Sequence, residues 1–374
     1  MPAGKITIQE VKNKKQFKAF LRFPWQIYRG DPYWVPPLLK EHAFYFSPKN
    51  PFLHHAEIFP AVAIRDGSIV GRIAAIIDHN YIDFHQEKTG FFGFFESIDD
   101  KKVARTLVDH AKGLLRAKGL KQMMGPVNPS TNDECGLLID GFDSSPFFMM
   151  SYNPPSYRKL LEGCGLKKAK DLLANRMIND GSIPERLLRI SARLAKKTPG
   201  LTIRPLNMKK LGEEVMRVKN VYNGAWRDNW GFVPLTDEEM DLMVTKMKPL
   251  VIPEYVPFAE IGGETAGFAL ALPDYNVAIK KVNGRLGPVG LLKFLYYSRK
   301  IRTIRVMLLG VKAEYRKRGI ETLLYLEIFR RGQARGVTWG EMSWILEDNH
   351  LMQRGLEALG AKIYKTYRIY QAPL

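Results

Sequence analysis

The residues with the clearest chemical capacity lie at one strand-to-helix junction, Val311-Lys-Ala-Glu-Tyr-Arg316-Lys317-Arg318-Gly319-Ile320. A glycine in the first turn of a helix lets backbone N–H groups approach an anion closely, and the helix start adds positive partial charge. Three basic side chains stand beside it, so the segment reads as a pyrophosphate cradle. Glu321 follows directly. A carboxylate there suits a helix N-terminus but repels a phosphate. Further on, Asp348-Asn349 closes an expected strand, Glu341 to Leu346, and Gly360-Ala361 ends the next helix eleven residues after the asparagine. Other constellations are weaker. His54-His55 with Glu57 fails as a metal set, because neighbours on a strand point to opposite faces, and no metal is expected. Cys135 and Cys164 show no ligand spacing and read as buried thiols. Trp226, Trp230 and Phe232 fit core packing better than a ligand box.

At this junction the chain resembles the GCN5-related N-acetyltransferase (GNAT) superfamily, whose signature is Arg or Gln, two residues, Gly, one residue, then Gly or Ala. Arg316 to Ile320 matches the first five places, and Glu321 departs at the last. The resemblance implies acetyl-CoA or a longer acyl-CoA as donor. Val311, Arg316, Lys317, Arg318, Gly319 and Ile320 would surround its pyrophosphate and Asn349 would bond the pantetheine arm. A plain helix cap is the other reading of Asn349. The resemblance also implies that a backbone N–H at Leu309, Gly310 or Val311 polarises the thioester carbonyl as an oxyanion hole does. The tyrosine acid of many members, seven residues after the asparagine, is replaced by Leu356. No acid is therefore carried over, and a thiolate leaves tolerably without one. The attacking amine must lose a proton, and Glu341, Glu347 and Asp228 are the candidate carboxylates, none of which the sequence singles out.

These residues need a sheet and a helix to hold them, and the required order of elements occurs twice. Ile6-Thr-Ile-Gln opens a run that reaches Tyr28, Asp31, Trp34 and Pro37; Leu201-Thr-Ile-Arg opens one that reaches Tyr222, Asp228, Trp230 and Pro234. Ala63, Gly71, Asp78 and Asn80 recur at one constant offset as Ala259, Gly267, Asp274 and Asn276. Each copy then reads as a hairpin across a Gly turn (Pro60 to Ile64 with Ile69 to Ile77; Val256 to Glu260 with Thr265 to Leu272) followed by a strand (Gly90 to Glu96; Ile304 to Val311). A helix (Val103 to Ala117; Ile320 to Arg335) and a further strand (Lys121 to Val127; Glu341 to Leu346) complete it. Such a crossover predicts a parallel pair within an otherwise antiparallel sheet. The expected fold class is mixed α/β, with two tandem GNAT-like domains: a degenerate one over 1–182, a linker over 183–200, and one with the acyl-CoA site over 201–374. The first copy has Ser97-Ile98-Asp99-Asp100 at the junction, with no glycine and two acids, so no pyrophosphate is expected there. Pro129 to Met150 predict an added loop or hairpin.

With 374 residues, 45% of them hydrophobic and 25% charged, the chain has material for two cores and lies far from disordered compositions. It holds no apolar stretch long enough to span a bilayer, and Met1 to Val11 contains no signal-peptide core. A cytoplasmic protein is expected, at most peripheral to the inner face of the membrane. The formal charge is +19 and unevenly placed. No acid lies between Asp274 and Glu314, while Lys280, Lys281, Arg285, Lys293, Arg299, Lys300, Arg302, Arg305 and Lys312 do. Leu291, Leu292, Phe294, Leu295, Tyr296 and Tyr297 interleave with them, which fits either a solvated face or contact with an anionic membrane. In layout the chain resembles bacterial tandem N-acyltransferases of the ceramide-synthase-like, long-chain-amine type, which implies a lipid amine as acceptor. Two alternatives stand beside it. A Fem-like transferase would use aminoacyl-tRNA, but no basic arm or coiled-coil insertion supports nucleic acid as a partner. A non-catalytic acyl-CoA-binding module is made possible by Glu321 and by Leu356 in place of the tyrosine.

Overall fold

The computed structural model describes residues 4–374 apart from 184, 186, 187, 190, 194–197, 228 and 317. Much of the expected linker, with Asp228 and Lys317, therefore lies outside the described residues. The chain forms two compact units: one of Met1–Leu172, Ala278–Leu295 and Lys365–Leu374, the other of Leu173–Val277 and Tyr296–Tyr364.

The first unit carries β1 (Ile6–Glu10), β2 (Ala56–Arg65), β3 (Ser68–Asp78), β4 (Thr89–Ser97) and β5 (Gln122–Gly125). The pairings β1/β2, β2/β3 and β3/β4 are antiparallel, and β4/β5 is the expected parallel pair. Asp66 and Gly67 turn the β2/β3 hairpin with φ of 51° and 76°, the left-handed pair that a two-residue hairpin loop requires. Helix Lys101–Ala117 buries Val103, Ala104, Leu107, Val108, Ala111 and Leu115, one apolar stripe at three-and-four spacing, against this sheet. It approaches so closely that a Cβ on Gly71 would stand 2.6 Å from Leu107 Cδ1. The strand expected over Lys121 to Val127 is in fact broken. It stops at Gly125 because Pro126 has no N–H for the ladder, and the chain resumes as β6 (Val127–Asn128). The extra residues form β7 (Glu134–Cys135), which pairs with β6, and β8 (Leu137–Asp140). Strand β9 follows at Lys167–Ile178.

The second unit repeats the pattern with β10 (Leu201–Pro205), β11 (Pro257–Ile261), β12 (Glu264–Pro273), β13 (Thr303–Val311) and β14 (Trp339–Leu346). Again three antiparallel pairings lead to one parallel pair, β13/β14. Helix Ile320–Ala334 is the crossover, and its buried Ile320, Leu324 and Ile328 pack with Ile304, Val306, Val337 and Met342. The last strand, β15 (Lys362–Pro373), contributes Lys365 onward to the first unit, where Tyr370 faces Gly125 and Thr366 faces Asp140. Among the described residues, no helix is long and apolar enough to cross a membrane.

Candidate functional site

Strand β13 sets the site. Its register against β12 jumps from Leu270↔Leu308 to Ala271↔Val306, so Met307 is an extra residue that bulges out of the ladder. At the same level the parallel pairing with β14 ends: it runs from Thr303↔Trp339 to Val306↔Met342, although both strands continue. Beyond that level β13 and β14 no longer pair, which leaves a gap in the ladder. Which amides face it follows from the ladder on the other side. Lys312 N–H donates to Ala266 O at 2.9 Å, so by alternation the amides of Gly310 and Lys312 face β12 while those of Leu309 and Val311 face the gap. Gly310 serves a different purpose, since a Cβ there would lie 2.4 Å from the ring of Trp226. That ring ends helix Leu211–Trp226 and rests against Tyr222 and Phe268, centroids 4.9 and 6.1 Å away.

The loop after β13 makes a short 3-10 turn, Ala313–Tyr315, then reaches Gly319 at φ 82°. This left-handed conformation costs an L-residue about 1–2 kcal/mol, which explains the glycine. No N-cap side chain bonds the helix it opens, although Thr322 N–H donates to Gly319 O at 3.1 Å and the Glu321 carboxyl meets its own amide. Arg316 is drawn back along the loop, its Nε donating to Val311 O at 3.3 Å and its Nη2 to Ala225 O at 2.9 Å. Arg318 is exposed, with its guanidinium 5.4 Å above the ring of Tyr315. Burial holds the Glu321 carboxyl above its ordinary range, more strongly than its own backbone amide and Arg316 pull it down. The shift makes the carboxyl easier to protonate than an exposed glutamate, in the direction that would lessen repulsion of an anion.

The strand β14 carboxylates fare differently. Glu341 is fully buried opposite Arg305, in the paired and closed part of the two strands. Ser343 Oγ–H donates to its Oε1 at 2.6 Å, the Tyr364 hydroxyl donates to Oε2, and Arg305 Nε stands 3.7 Å off while donating to Ser343 Oγ at 3.0 Å. This network accounts for Ser343 and Tyr364, which the sequence did not single out, and it removes Arg305, 3% exposed and paired inward, from the basic surface stretch in which the sequence placed it. Glu347 lies just past the end of β14 and is half-buried. Asn349 caps helix His350–Glu357, its Oδ1 accepting Met352 N–H at 3.2 Å, as the simpler reading of that residue had it.

In the first unit the matching place is filled by the chain itself. The bulge falls at Phe94, φ 51°, whose N–H donates to Asn128 Oδ1 at 2.6 Å. Strand β6 lies so close that a Cβ on Gly93 would come within 1.7 Å of Val127 O. Asp100 caps the following helix, accepting Lys102 N–H at 2.8 Å and Val103 N–H at 3.4 Å. Burial raises its carboxyl, but Arg65 at 2.7 Å and those two amides outweigh it and hold it below the usual range. The bulge amide and the helix start are thus both satisfied from within the unit here. His54 and His55 precede β2 instead of lying on it, and His55 Nδ1 meets Asp78 Oδ1 at 3.0 Å. Among the described residues, no group of three or more His, Cys, Asp or Glu side chains is placed to hold a metal ion.

A bulged strand that parts from its parallel neighbour beside a crossover helix occurs once in each unit, and this arrangement is the acyltransferase fold of tandem GNAT proteins. The solved structure of a tandem GNAT protein from the clavulanic acid biosynthesis pathway matches with a TM-score of 0.58 at 15% identity, over 99% of this chain and 98% of that one. A GCN5-related N-acetyltransferase from Sphaerobacter thermophilus matches with a TM-score of 0.52 at 14% identity, over 84% and 80%. No protein-family profile matches the chain. Protein YghO of Escherichia coli (strain K12) is 38% identical over 366 residues, 96% of this chain and 93% of that protein. The bacterial ceramide synthase of Caulobacter vibrioides (strain NA1000 / CB15N) is 35% identical over 379 residues, 99% of this chain and 98% of that protein. The chain belongs to the family of these two proteins.

Proposed function

We propose that the protein transfers an acyl group from an acyl-CoA thioester, acetyl-CoA or longer, to the amine of a long-chain lipid base at the inner face of the membrane. The observation that carries this reading is the gap between β13 and β14, with the Leu309 and Val311 amides on one wall and an uncapped, glycine-led helix at its mouth. The pyrophosphate of coenzyme A binds the first-turn amides of that helix beside Arg318, while Arg316 holds the loop. The thioester carbonyl accepts the Leu309 N–H, which stabilises the oxyanion of the tetrahedral intermediate. The amine nitrogen attacks this carbon, a C–N bond forms, the C–S bond breaks, and coenzyme A leaves as thiolate. Glu347, directly or through water, takes the amine proton. Glu341 is a positioning group, because its closed network with Arg305, Ser343 and Tyr364 holds the two strands together where their pairing ends. The lipid acceptor draws support from the name of the Caulobacter relative, since ceramide is the N-acyl form of a long-chain base.

Incubation of the purified protein with palmitoyl-CoA or acetyl-CoA and a panel of long-chain and short polar amines, with thiol release and product mass measured together, tests the reading. Amide formation on long-chain amines is expected. Thiol release with no amide on any amine, or turnover of short polar amines alone, would overturn it.

A further inference from the structure

Helix Pro288–Ser298 reads PVGLLKFLYYS, and none of its residues is buried. Val289, Leu291, Leu292, Leu295 and Tyr296 are 67, 46, 69, 47 and 53% exposed, whereas Gly290, Phe294 and Tyr297 are partly shielded. At about 100° per residue the five exposed residues fall on one arc of roughly 160°, and the three shielded ones lie opposite. A helix on a water-facing surface turns polar residues outward. Here the arrangement is inverted, and exposed Leu286 extends the apolar patch.

The segment leading into the helix is held firmly within the first unit. Lys280 Nζ donates to Ser145 Oγ at 3.0 Å, Trp25 Nε1–H donates to Asn283 Oδ1 at 3.0 Å, and Leu39 N–H donates to Gly284 O at 3.0 Å. The apolar arc is therefore presented on a fixed base. Around it stand exposed Arg285, Lys293, Arg299 and Lys300, the last donating to the Tyr296 hydroxyl at 2.7 Å and lying 4.2 Å over its ring. An exposed apolar patch of this kind is a partner surface, and the basic rim decides which partner. A second copy of the chain would bring the same bases face to face, with no acid between Asp274 and Glu314 to offset them. A sheet of lipid phosphates complements both parts at once.

We infer that this helix is an interfacial anchor that lies in the headgroup layer of an anionic bilayer, with Val289, Leu291, Leu292 and Leu295 among the acyl chains and the bases on lipid phosphates. The inference rests on the lipid-amine reading above and names the surface that meets the bilayer holding that acceptor.

Flotation of the full chain with vesicles of phosphatidylcholine, alone or mixed with phosphatidylglycerol, tests it. The parent protein should float with the mixed vesicles at low salt and far less with the neutral ones. Each basic residue adds roughly fivefold to partition, so Lys293→Glu with Arg299→Glu should weaken it by at least about 25-fold. Leu292→Ser with Leu295→Ser should weaken it by about tenfold or more at any salt. All four positions are exposed, and both variants should melt with the parent. A parent that ignores phosphatidylglycerol vesicles at low salt, or variants that float as it does, would sink the proposal. So would a concentration-dependent dimer that the leucine variant abolishes. Acyl transfer to a soluble short-chain analogue of the acceptor without vesicles should be equal in parent and variants. Its absence from all of them would count against the transferase reading alone and leave the flotation result standing.

Discussion

Replacing Gly319 by aspartate would give the second unit the loop chemistry of the first. In the first unit Asp100 already caps its helix through the amides of Lys102 and Val103. An aspartate at 319 should do likewise, and its cap, about 1 kcal/mol, offsets most of the roughly 1–2 kcal/mol of strain at φ 82°. Folding stability should therefore change by no more than about 1 kcal/mol. Coenzyme A binding should collapse, because a carboxylate about 5 Å from a phosphate costs about 3 kcal/mol at an effective dielectric constant near 20, or roughly 200-fold in Kd. Gly319→Asn separates the two contributions. It caps the same amides without charge and tolerates the left-handed backbone, so it should lose only about tenfold, for occupied donors. Titration calorimetry with coenzyme A, alongside urea unfolding, measures both quantities. A folded Gly319→Asp protein that binds coenzyme A as the parent does would remove the pyrophosphate from this loop and refute the reasoning.

In the first unit, Asn128→Ala leaves the Phe94 N–H without its acceptor and should cost about 1–3 kcal/mol in urea unfolding, with one coenzyme A still bound per chain; a stoichiometry of two in parent or variant would contradict the self-filled site. Glu341→Gln leaves Arg305 buried without its counter-charge and should lower stability by about 3–5 kcal/mol, whereas Glu347→Gln should leave the melt unchanged and lower kcat about 10²-fold or more. The Glu321 carboxyl is raised in the folded protein, so folding favours its protonated form, and that contribution is present below the ordinary glutamate range and lost as pH rises through the raised value. Glu321→Gln should therefore gain stability over the parent as pH climbs through that window, and the two should bind coenzyme A alike at its acidic end and diverge above it. A constant difference across the window would show that Glu321 titrates normally.

The elements of both units were legible because their signals are local. Leu201 to Pro205 alternates, and the apolar stripe of the helix from Ile320 recurs at three and four; both fold as read. The loop glycine was legible for the same reason. What the sequence withheld depends on contacts between distant residues. Ser343 and Tyr364 reach Glu341 from 2 and 23 positions away, and Arg305 joins from the parallel strand, with no motif linking them. Asn128 acts on an amide 34 residues upstream, and Trp25 meets Asn283 across 258 residues. The break at Pro126 was overlooked although its cause is local, since a proline inside an apolar run marks a sheet edge or an interruption.

The two units also show how one arrangement of strands and helix can be satisfied in two ways. Bulge, parting strands and crossover helix persist in the first unit, and what changed is the source of the groups that satisfy its polar atoms. Asn128 supplies the acceptor for the amide that faces the gap, and Asp100 supplies the anion for the helix start. In the second unit, helix Ile320–Ala334 has no capping side chain, and its first turn begins at a left-handed glycine. A helix end left uncapped forgoes about 1 kcal/mol, and a buried amide left unpaired costs about 1–3 kcal/mol, so a fold relieved of its ligand gains by filling both from within. The second unit keeps the uncapped helix start. An anion at that helix start would supply the cap that Asp100 supplies in the first unit, which is what the proposed coenzyme A site requires.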